Sequence, residues 1–192
     1  MHFCIRFNLS LNFNIESLKF AAAIFGEPES SLLLFLTGKE KVKQGKFMQK
    51  YDDLWQAIEV RVRENNDITH NDWTTDSVRG HAARQRIAQI FILEVLLARH
   101  REKYASNFVP LAGEEALYHL IFKRTGWKPF EVKQLSFIDT LFVLAELFRD
   151  ENLPTEVRAV LRSQGIKDEA LPTYDFSEKD WAPRENEVFL RR

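Results

Sequence analysis

Hydrophobic and polar residues alternate strictly near the start of the chain. Every odd position in residues 3–15 is apolar, and every even position between them carries Cys, Arg, Asn or Ser. A repeat of two residues is typical of a β-strand with one buried face and one solvated face. Such a strand needs a partner for its backbone hydrogen-bonding groups. That partner is either residues 32–36, residues 188–190, a hairpin fold near residues 8–12, or a second subunit.

The middle of the chain shows helical spacing instead. A broad apolar stripe with steps of one, three and four residues predicts a helix that ends at Asn65-Asn66-Asp67; its members are Phe47, Tyr51, Leu54, Trp55, Ile58 and Val62. A longer helix is predicted from about Asp76 to Tyr104, with Thr74-Thr75-Asp76 as its N-cap residues. Residues 90–97 within it are apolar nearly all round, which places this helix at the centre of a bundle.

Capping signals mark further helices in the second half. A helix over residues 113–125 would end at Gly126. The sequence Ser136-Phe137-Ile138-Asp139 resembles a capping box and would open a helix that ends near Phe148. Pro154 is expected at the first position of a last helix, which Gly165 would end.

These elements predict a mainly α fold, a helical bundle of about six helices with a small N-terminal β-strand or β-hairpin arm. We expect the arm in residues 1–38 and the bundle in residues 39–165. Residues 166–192 form a tail of mixed charge that contains several aromatic residues. This tail is too aromatic for a plain disordered end, so we expect it to pack on the bundle or on a partner.

Composition narrows the functional classes. The 192 residues carry 27 Lys and Arg against 28 Asp and Glu, so the formal net charge of −1 offers no whole-protein attraction to nucleic acid or to anionic membranes. The most apolar run, residues 87–98, is shorter than the roughly 20 residues that a membrane span needs. The single cysteine, Cys4, excludes an intramolecular disulfide. A cytoplasmic protein without membrane contact is the expectation.

The sequence contains only weak matches to cofactor-binding and metal-binding motifs, and we predict neither a cofactor nor a metal ion. Thr37-Gly38-Lys39-Glu40 lacks the other residues of a phosphate loop. The ligand types of a divalent metal site do occur close together, as His70, Asp72, Asp76 and His81. Their spacing does not align them on one helix face, so helix capping and solvated loop positions are the preferred interpretation.

A local basic stretch lies in residues 39–50, with five lysines against one glutamate. We interpret it as an exposed connector. Lys41, Lys43 and Lys46 are its candidate phosphate contacts, because a connector can follow a nucleic-acid backbone. A nucleic-acid-binding regulatory protein is therefore one alternative.

Arg63 and His70 are separated by six residues, a spacing that resembles the catalytic motif of the HEPN ribonucleases. That family consists of small helical bundles, often dimeric, that cut RNA without a metal. The resemblance implies that Arg63 would hold the phosphate and that His70 would help to activate the ribose hydroxyl. It covers eight residues. The family carries the pair on one helix, whereas Asn65-Asn66-Asp67 is expected to end the helix here.

The unpartnered strand and the aromatic tail favour binding over catalysis. A second copy of the chain would cover both at once. We therefore expect a non-enzymatic protein–protein interaction module, a homodimer that pairs residues 3–15 across its two-fold axis. Its apolar anchors would be Phe3, Phe7, Leu9, Leu11 and Phe13.

Overall fold

A computed structural model of the chain describes residues 39–75, 77–166 and 175–191, with side chains from Gln49 onward. The chain divides into two compact units, residues 1–46 and residues 47–192. The predicted N-terminal β arm and its candidate strand lie outside the described residues. All of the described side chains therefore belong to the second unit.

Helix α1 runs from Lys39 to Asn65. Five members of the predicted stripe are buried, which confirms the inward face: Tyr51, Leu54, Trp55, Ile58 and Val62. The connector predicted for residues 39–50 is wrong, because these residues are helical from Lys39. Lys, Glu and Gln are good helix formers, and here their helix propensity outweighs the single Gly45. The predicted end is confirmed: the helix stops at Asn65, and Asp67 adopts a left-handed φ of 49°.

A short helix, α2 (His70–Thr74), precedes the long central helix α3 (Val78–Tyr104). The predicted N-cap of α3 at residues 74–76 is wrong. Ser77 is the cap, because its hydroxyl accepts a hydrogen bond from the Gly80 amide at 2.9 Å. The predicted end of α3 at Tyr104 is confirmed.

The centre of α3 forms the core of the second unit. Its apolar residues are fully buried at Ile87, Ile90, Phe91, Leu93 and Leu97. The Phe91 ring meets Trp55 edge to face, with ring centroids 5.5 Å apart. Packing of α1 against α3 therefore relies on interlocked aromatic rings as well as aliphatic side chains.

Three further helices follow: α4 (Glu115–Thr125), α5 (Pro129–Val132) and α6 (Phe137–Val143). Gly126 ends α4 with a φ of 76°, as predicted. The capping box at Ser136 and Asp139 is confirmed, since each residue bonds the other's backbone amide. The α-helix stops at Val143, and the tighter 3-10 helix Ala145–Phe148 completes the predicted length.

The C-terminal part contains α7 (Thr155–Ser163), the 3-10 helices Asp150–Asn152 and Glu178–Asp180, and α8 (Pro183–Leu190). The prediction that α7 is the last helix is wrong, and the candidate strand at residues 188–190 belongs to α8. Pro183 in its first turn is already set for helical φ and needs no amide partner there. The described residues are thus mainly helical, as predicted, with eight α-helices and no strand. Within those residues, no helix combines the length and hydropathy needed to cross a membrane.

Gly80 marks a close approach between the start of α3 and the end of α2. A Cβ atom at this position would lie 2.1 Å from the backbone oxygen of Asp72. We expect G80A to lower the free energy of unfolding by about 1–3 kcal/mol, because backbone atoms cannot yield as a side-chain end can.

The matched control for this prediction is G126A. A Cβ there meets nothing within 4 Å, so that variant reports only the strain of a left-handed backbone. Urea unfolding of both variants measures the difference. A G80A protein as stable as wild type would contradict the close approach.

Candidate functional site

The residues predicted to mediate binding lie largely beyond the described side chains. The strand anchors Phe3, Phe7, Leu9, Leu11 and Phe13 fall outside the described residues. Lys41, Lys43 and Lys46 lie on the first turns of α1, and their side chains are likewise not among those described. Both sets remain predictions.

Arg63 and His70 do not share a helix. Arg63 lies in the last turn of α1, where its Nη1 is 3.2 Å from Glu59 Oε1 and its guanidinium stacks on the Trp73 ring at 5.0 Å. His70 is the first residue of α2 and is exposed. The structure therefore differs from the single-helix placement of the pair in the ribonuclease family.

The residues near His70 serve as helix caps. Asp72 accepts hydrogen bonds from the backbone amide and the hydroxyl of Thr69, and the Thr69 hydroxyl accepts one from the Asp72 amide. These bonds lower the pKa of Asp72. They confirm the capping interpretation for Asp72, and within the described part of the chain no group of three or more potential ligands could hold a metal ion.

A network of buried and half-buried polar groups instead joins residues 175–191, here called the C-terminal segment, to α1 and α3. We call this network the polar seam. It brings together Arg61, Asn66, Arg86, Glu94, Arg101, Asp180, Asn186 and Glu187. The Trp181 indole joins this network by donating a hydrogen bond to Glu94.

Asp180 occupies one end of the polar seam and is completely buried. Asn66 Nδ2 lies 3.0 Å from both of its carboxylate oxygens, and Arg86 Nε lies 3.5 Å from Oδ2. Burial lowers the pKa of the Arg86 guanidinium, and the nearby Asp180 carboxylate opposes that shift. The Arg86 guanidinium also stacks on Phe137, 4.0 Å from the ring centroid. Asp180 therefore provides the counter-charge that lets an arginine remain in the core.

Glu94 lies at the centre of α3 and is also completely buried. Its Oε1 accepts hydrogen bonds from Trp181 Nε1 at 2.8 Å and from Asn186 Nδ2 at 3.2 Å. Its Oε2 lies 4.0 Å from Arg101 Nη2 and accepts no hydrogen bond from the described residues. Burial is the dominant effect and raises the pKa of Glu94 to about 7, although the bonds from Asn186 and Trp181 favour the charged form.

Glu187 anchors the other end of the polar seam. It accepts a hydrogen bond from the Gly113 amide at 2.8 Å, and Arg101 Nε lies 3.5 Å from the same carboxylate oxygen. Burial alone would raise the pKa of Glu187, but the Gly113 amide and the Arg191 and Arg101 side chains together lower it. The pKa of Glu187 is thus lowered, whereas that of Glu94 is raised.

Two cavities are lined by residues of α3 and by Leu190 of α8. They have volumes of about 230 and 470 Å³, and Ala98, Glu102 and Leu190 line both. Each also combines basic and acidic side chains, for example Arg99 with Glu156 in the smaller one. Neither cavity therefore offers the single sign of charge that would select a charged ligand.

Large apolar side chains are exposed on and between α4, α5 and α6. We call this group the aromatic surface; its members are Phe122 (44% exposed), Trp127 (42%), Phe130 (60%), Ile138 (52%) and Phe142 (83%). Ile138 and Phe142 are four residues apart on α6, so they share one helix face. These positions were not among the predicted site residues, although their aromatic side chains are visible in the sequence.

A cationic group surrounds Tyr104 at the end of α3. The Lys103 and Lys123 ammonium groups lie 5.1 and 5.6 Å from the centroid of the Tyr104 ring. Beside that ring, His100 Nε2 is 2.7 Å from His119 Nδ1. Burial and the neighbouring His119, Arg101, Lys103 and Lys123 lower the pKa of His100 to about 4.

The polar seam predicts a large difference between two acid-to-amide changes in the C-terminal segment. D180N should lower the free energy of unfolding by about 3–5 kcal/mol. The change removes the counter-charge of buried Arg86, and it places the new amide NH₂ group, a donor, where the carboxylate faced the donors of Asn66 and Arg86. The control E185Q breaks the Glu185–Arg61 pair, whose carboxylate is 71% exposed, and should cost much less. Equal losses in urea unfolding would contradict a buried role for Asp180.

The raised pKa of Glu94 predicts an unusual pH dependence. The folded protein holds a proton on this carboxyl up to about pH 7, whereas the ordinary value is 4.5. Wild-type stability should therefore be greatest, for this group, below pH 4.5, and should fall by roughly 3 kcal/mol as pH rises through 7. In E94Q the amide oxygen can still accept the bonds from Trp181 and Asn186, but no proton is exchanged.

The measurement is the difference in unfolding free energy between E94Q and wild type at each pH from 5 to 8. His100 acts in the opposite direction, since its lowered pKa removes stability as pH falls below 6.5, but this contribution cancels in the difference. The control is E64Q, a change of an exposed acid on α1. A difference between E94Q and wild type that is constant across this range would contradict the protonated state of Glu94.

Comparison of the chain with protein-family models, with curated proteins and with solved structures found no match.

Proposed function

We propose that this chain is a helical protein–protein interaction module that self-associates as a homodimer. The observation that carries the proposal is the aromatic surface, with Phe142 83% and Phe130 60% exposed. Exposed aromatic side chains commonly mark interaction sites, and such side chains are frequent anchors at the centres of interfaces.

The exposed apolar residues differ in kind from those of the core. The α3 side chains Phe91 and Leu93 are completely buried, so the bundle has its own core without the aromatic surface. Side chains such as Phe130 and Phe142 therefore have apolar area still to bury, and burial of that area against another protein is favourable.

A second copy of the chain is the partner that we propose. In a two-fold interface the same residues of both copies face each other, so the exposed aromatic side chains of one copy can cover those of the other. The alternating residues 3–15 support self-association independently, because an amphipathic strand pairs readily with its own copy across a two-fold axis. The proposal thus includes a contact through the aromatic surface and a contact through the N-terminal strand.

Sedimentation equilibrium of the full chain tests the function. We expect a dimer in wild type, and at least about a tenfold weaker dimer in F130S/F142S, because large aromatic anchors contribute most of the binding energy of an interface. The matched control is V60S/V188S, which removes two other exposed apolar side chains, on α1 and α8, and should leave the dimer unchanged. A wild-type chain that remains monomeric at every concentration would refute the proposal.

Deletion of residues 1–15 tests the second contact. A weaker dimer after deletion would support strand pairing between subunits. If the deletion leaves the dimer unchanged while F130S/F142S weakens it, the strand contact is overturned and the aromatic surface remains as the interface.

A further inference from the structure

The residues around Tyr104 form a cluster rich in cationic side chains. We define the Tyr104 cluster as His100, Lys103, Tyr104, His119 and Lys123. The distances from the ring centroid, 5.1 Å for Lys103 and 5.6 Å for Lys123, place the two ammonium groups within about 11 Å of each other. Within the ranges that the structure describes, neither lysine pairs with a carboxylate.

This arrangement differs from that of the buried basic residues elsewhere in the chain. Arg86 is paired with Asp180, and Arg101 with Glu187. The described contact of each lysine in the Tyr104 cluster is the face of a phenol ring, which is a weaker partner for a cation than a carboxylate. The positive charges also act on His100, whose neutral form they favour. A bound anion would offset the repulsion among these positive charges.

The contact between the two histidine rings can provide the cluster with a hydrogen-bond donor. Because one ring must donate to the other across the 2.7 Å contact, at least one of the two is neutral. The mostly buried His100 is 7% exposed, and burial holds it neutral. When His100 Nε2 carries the proton and donates to His119 Nδ1, the proton of His119 lies on Nε2, where it can be donated to a ligand.

We propose that the Tyr104 cluster binds the terminal phosphate of a small phosphomonoester. Lys103 and Lys123 would contact the phosphate oxygens, and His119 would donate a hydrogen bond to them. A phosphomonoester concentrates up to two negative charges and three acceptor oxygens on one atom, and its second pKa is about 6. The donors of the Tyr104 cluster are grouped around one ring, which suits a ligand whose charge is concentrated on one phosphate. A nucleic-acid strand instead requires basic groups along an extended track.

The role of His100 is to position His119. Donation from His100 Nε2 to His119 Nδ1 leaves the remaining His119 proton on Nε2, the ring nitrogen outside this contact, where a phosphate oxygen can accept it. Phosphate binding should therefore shift the imidazole resonances of His119, because its Nε2 proton would be donated to a phosphate oxygen. A cluster with only a structural role would show no such shift.

The experiment follows the imidazole NMR resonances of the full chain during titration with inorganic phosphate and with adenosine monophosphate. We expect saturable shifts of the His119 resonances and at least about a tenfold weaker affinity in K103Q/K123Q. The matched control is K133Q, which removes an exposed lysine that lies 5.5 Å from the Tyr118 ring centroid in the same kind of contact. Absence of a saturable shift, or equal binding by K103Q/K123Q and wild type, would overturn the proposal.

A third arm distinguishes the source of the phosphate. An oligouridylate without a terminal phosphate offers only diester groups, and we expect it to bind more weakly than adenosine monophosphate. Tighter binding of that oligonucleotide, lost in K103Q/K123Q, would overturn the phosphomonoester assignment in favour of nucleic acid. The F130S/F142S variant should bind phosphate as wild type does, so failure of self-association and failure of this site are separate outcomes.

Discussion

The requirement that a buried carboxylate be met by donors governs how the C-terminal segment is placed. Glu94 and Asp180 are completely buried, and an unpaired charge in such a position would cost several kcal/mol. Donors far away in sequence meet them: Asn66 and Arg86 meet Asp180, and Trp181 and Asn186 bond one carboxylate oxygen of Glu94, Oε1. Apolar contact alone would tolerate several positions of α8 on α3. Hydrogen bonds with defined partners accept only one, so the polar seam determines the register of the segment.

The same network brings groups of opposite behaviour close together. Glu94 has few compensating charges and a pKa of about 7, while the pKa of Glu187 is lowered by a backbone amide and two arginines. Arg101 lies between them, 3.5 Å from Glu187 and 4.0 Å from Glu94. Arg101 is therefore the closer counter-charge of Glu187, and it compensates the burial of Glu94 only in part. Burial is what raises the pKa of Glu94, and the bonds from Trp181 and Asn186 oppose that shift.

Local sequence patterns predict the helices of the bundle better than they predict its polar interior. The stripe on α1, its end at Asn65, the capping box at Ser136 and the cap at Gly126 follow from interactions between neighbours in sequence. Helix α8 and the true cap at Ser77 were missed, since short helices and caps compete with several nearby polar residues. The partners of Glu94 lie 87 and 92 residues away, and no local period encodes them. A lone acid within the apolar residues 90–97 was the available signal, because such a side chain must find a donor.

The candidate sites were the hardest to predict, for a related physical reason. Sequence shows which residues are basic, but only the structure shows which of them are already neutralised. In the sequence, Arg86 and Arg101 look like surface charges on α3, yet both form ion pairs within the polar seam. Lys103 lies two residues beyond Arg101, and its described contact is the Tyr104 ring. A surface can attract an anion only where its basic side chains are not already paired with carboxylates inside the protein. The charge that matters at the end of α3 is therefore that of the lysine left unpaired by the described carboxylates, and not the total charge of the helix.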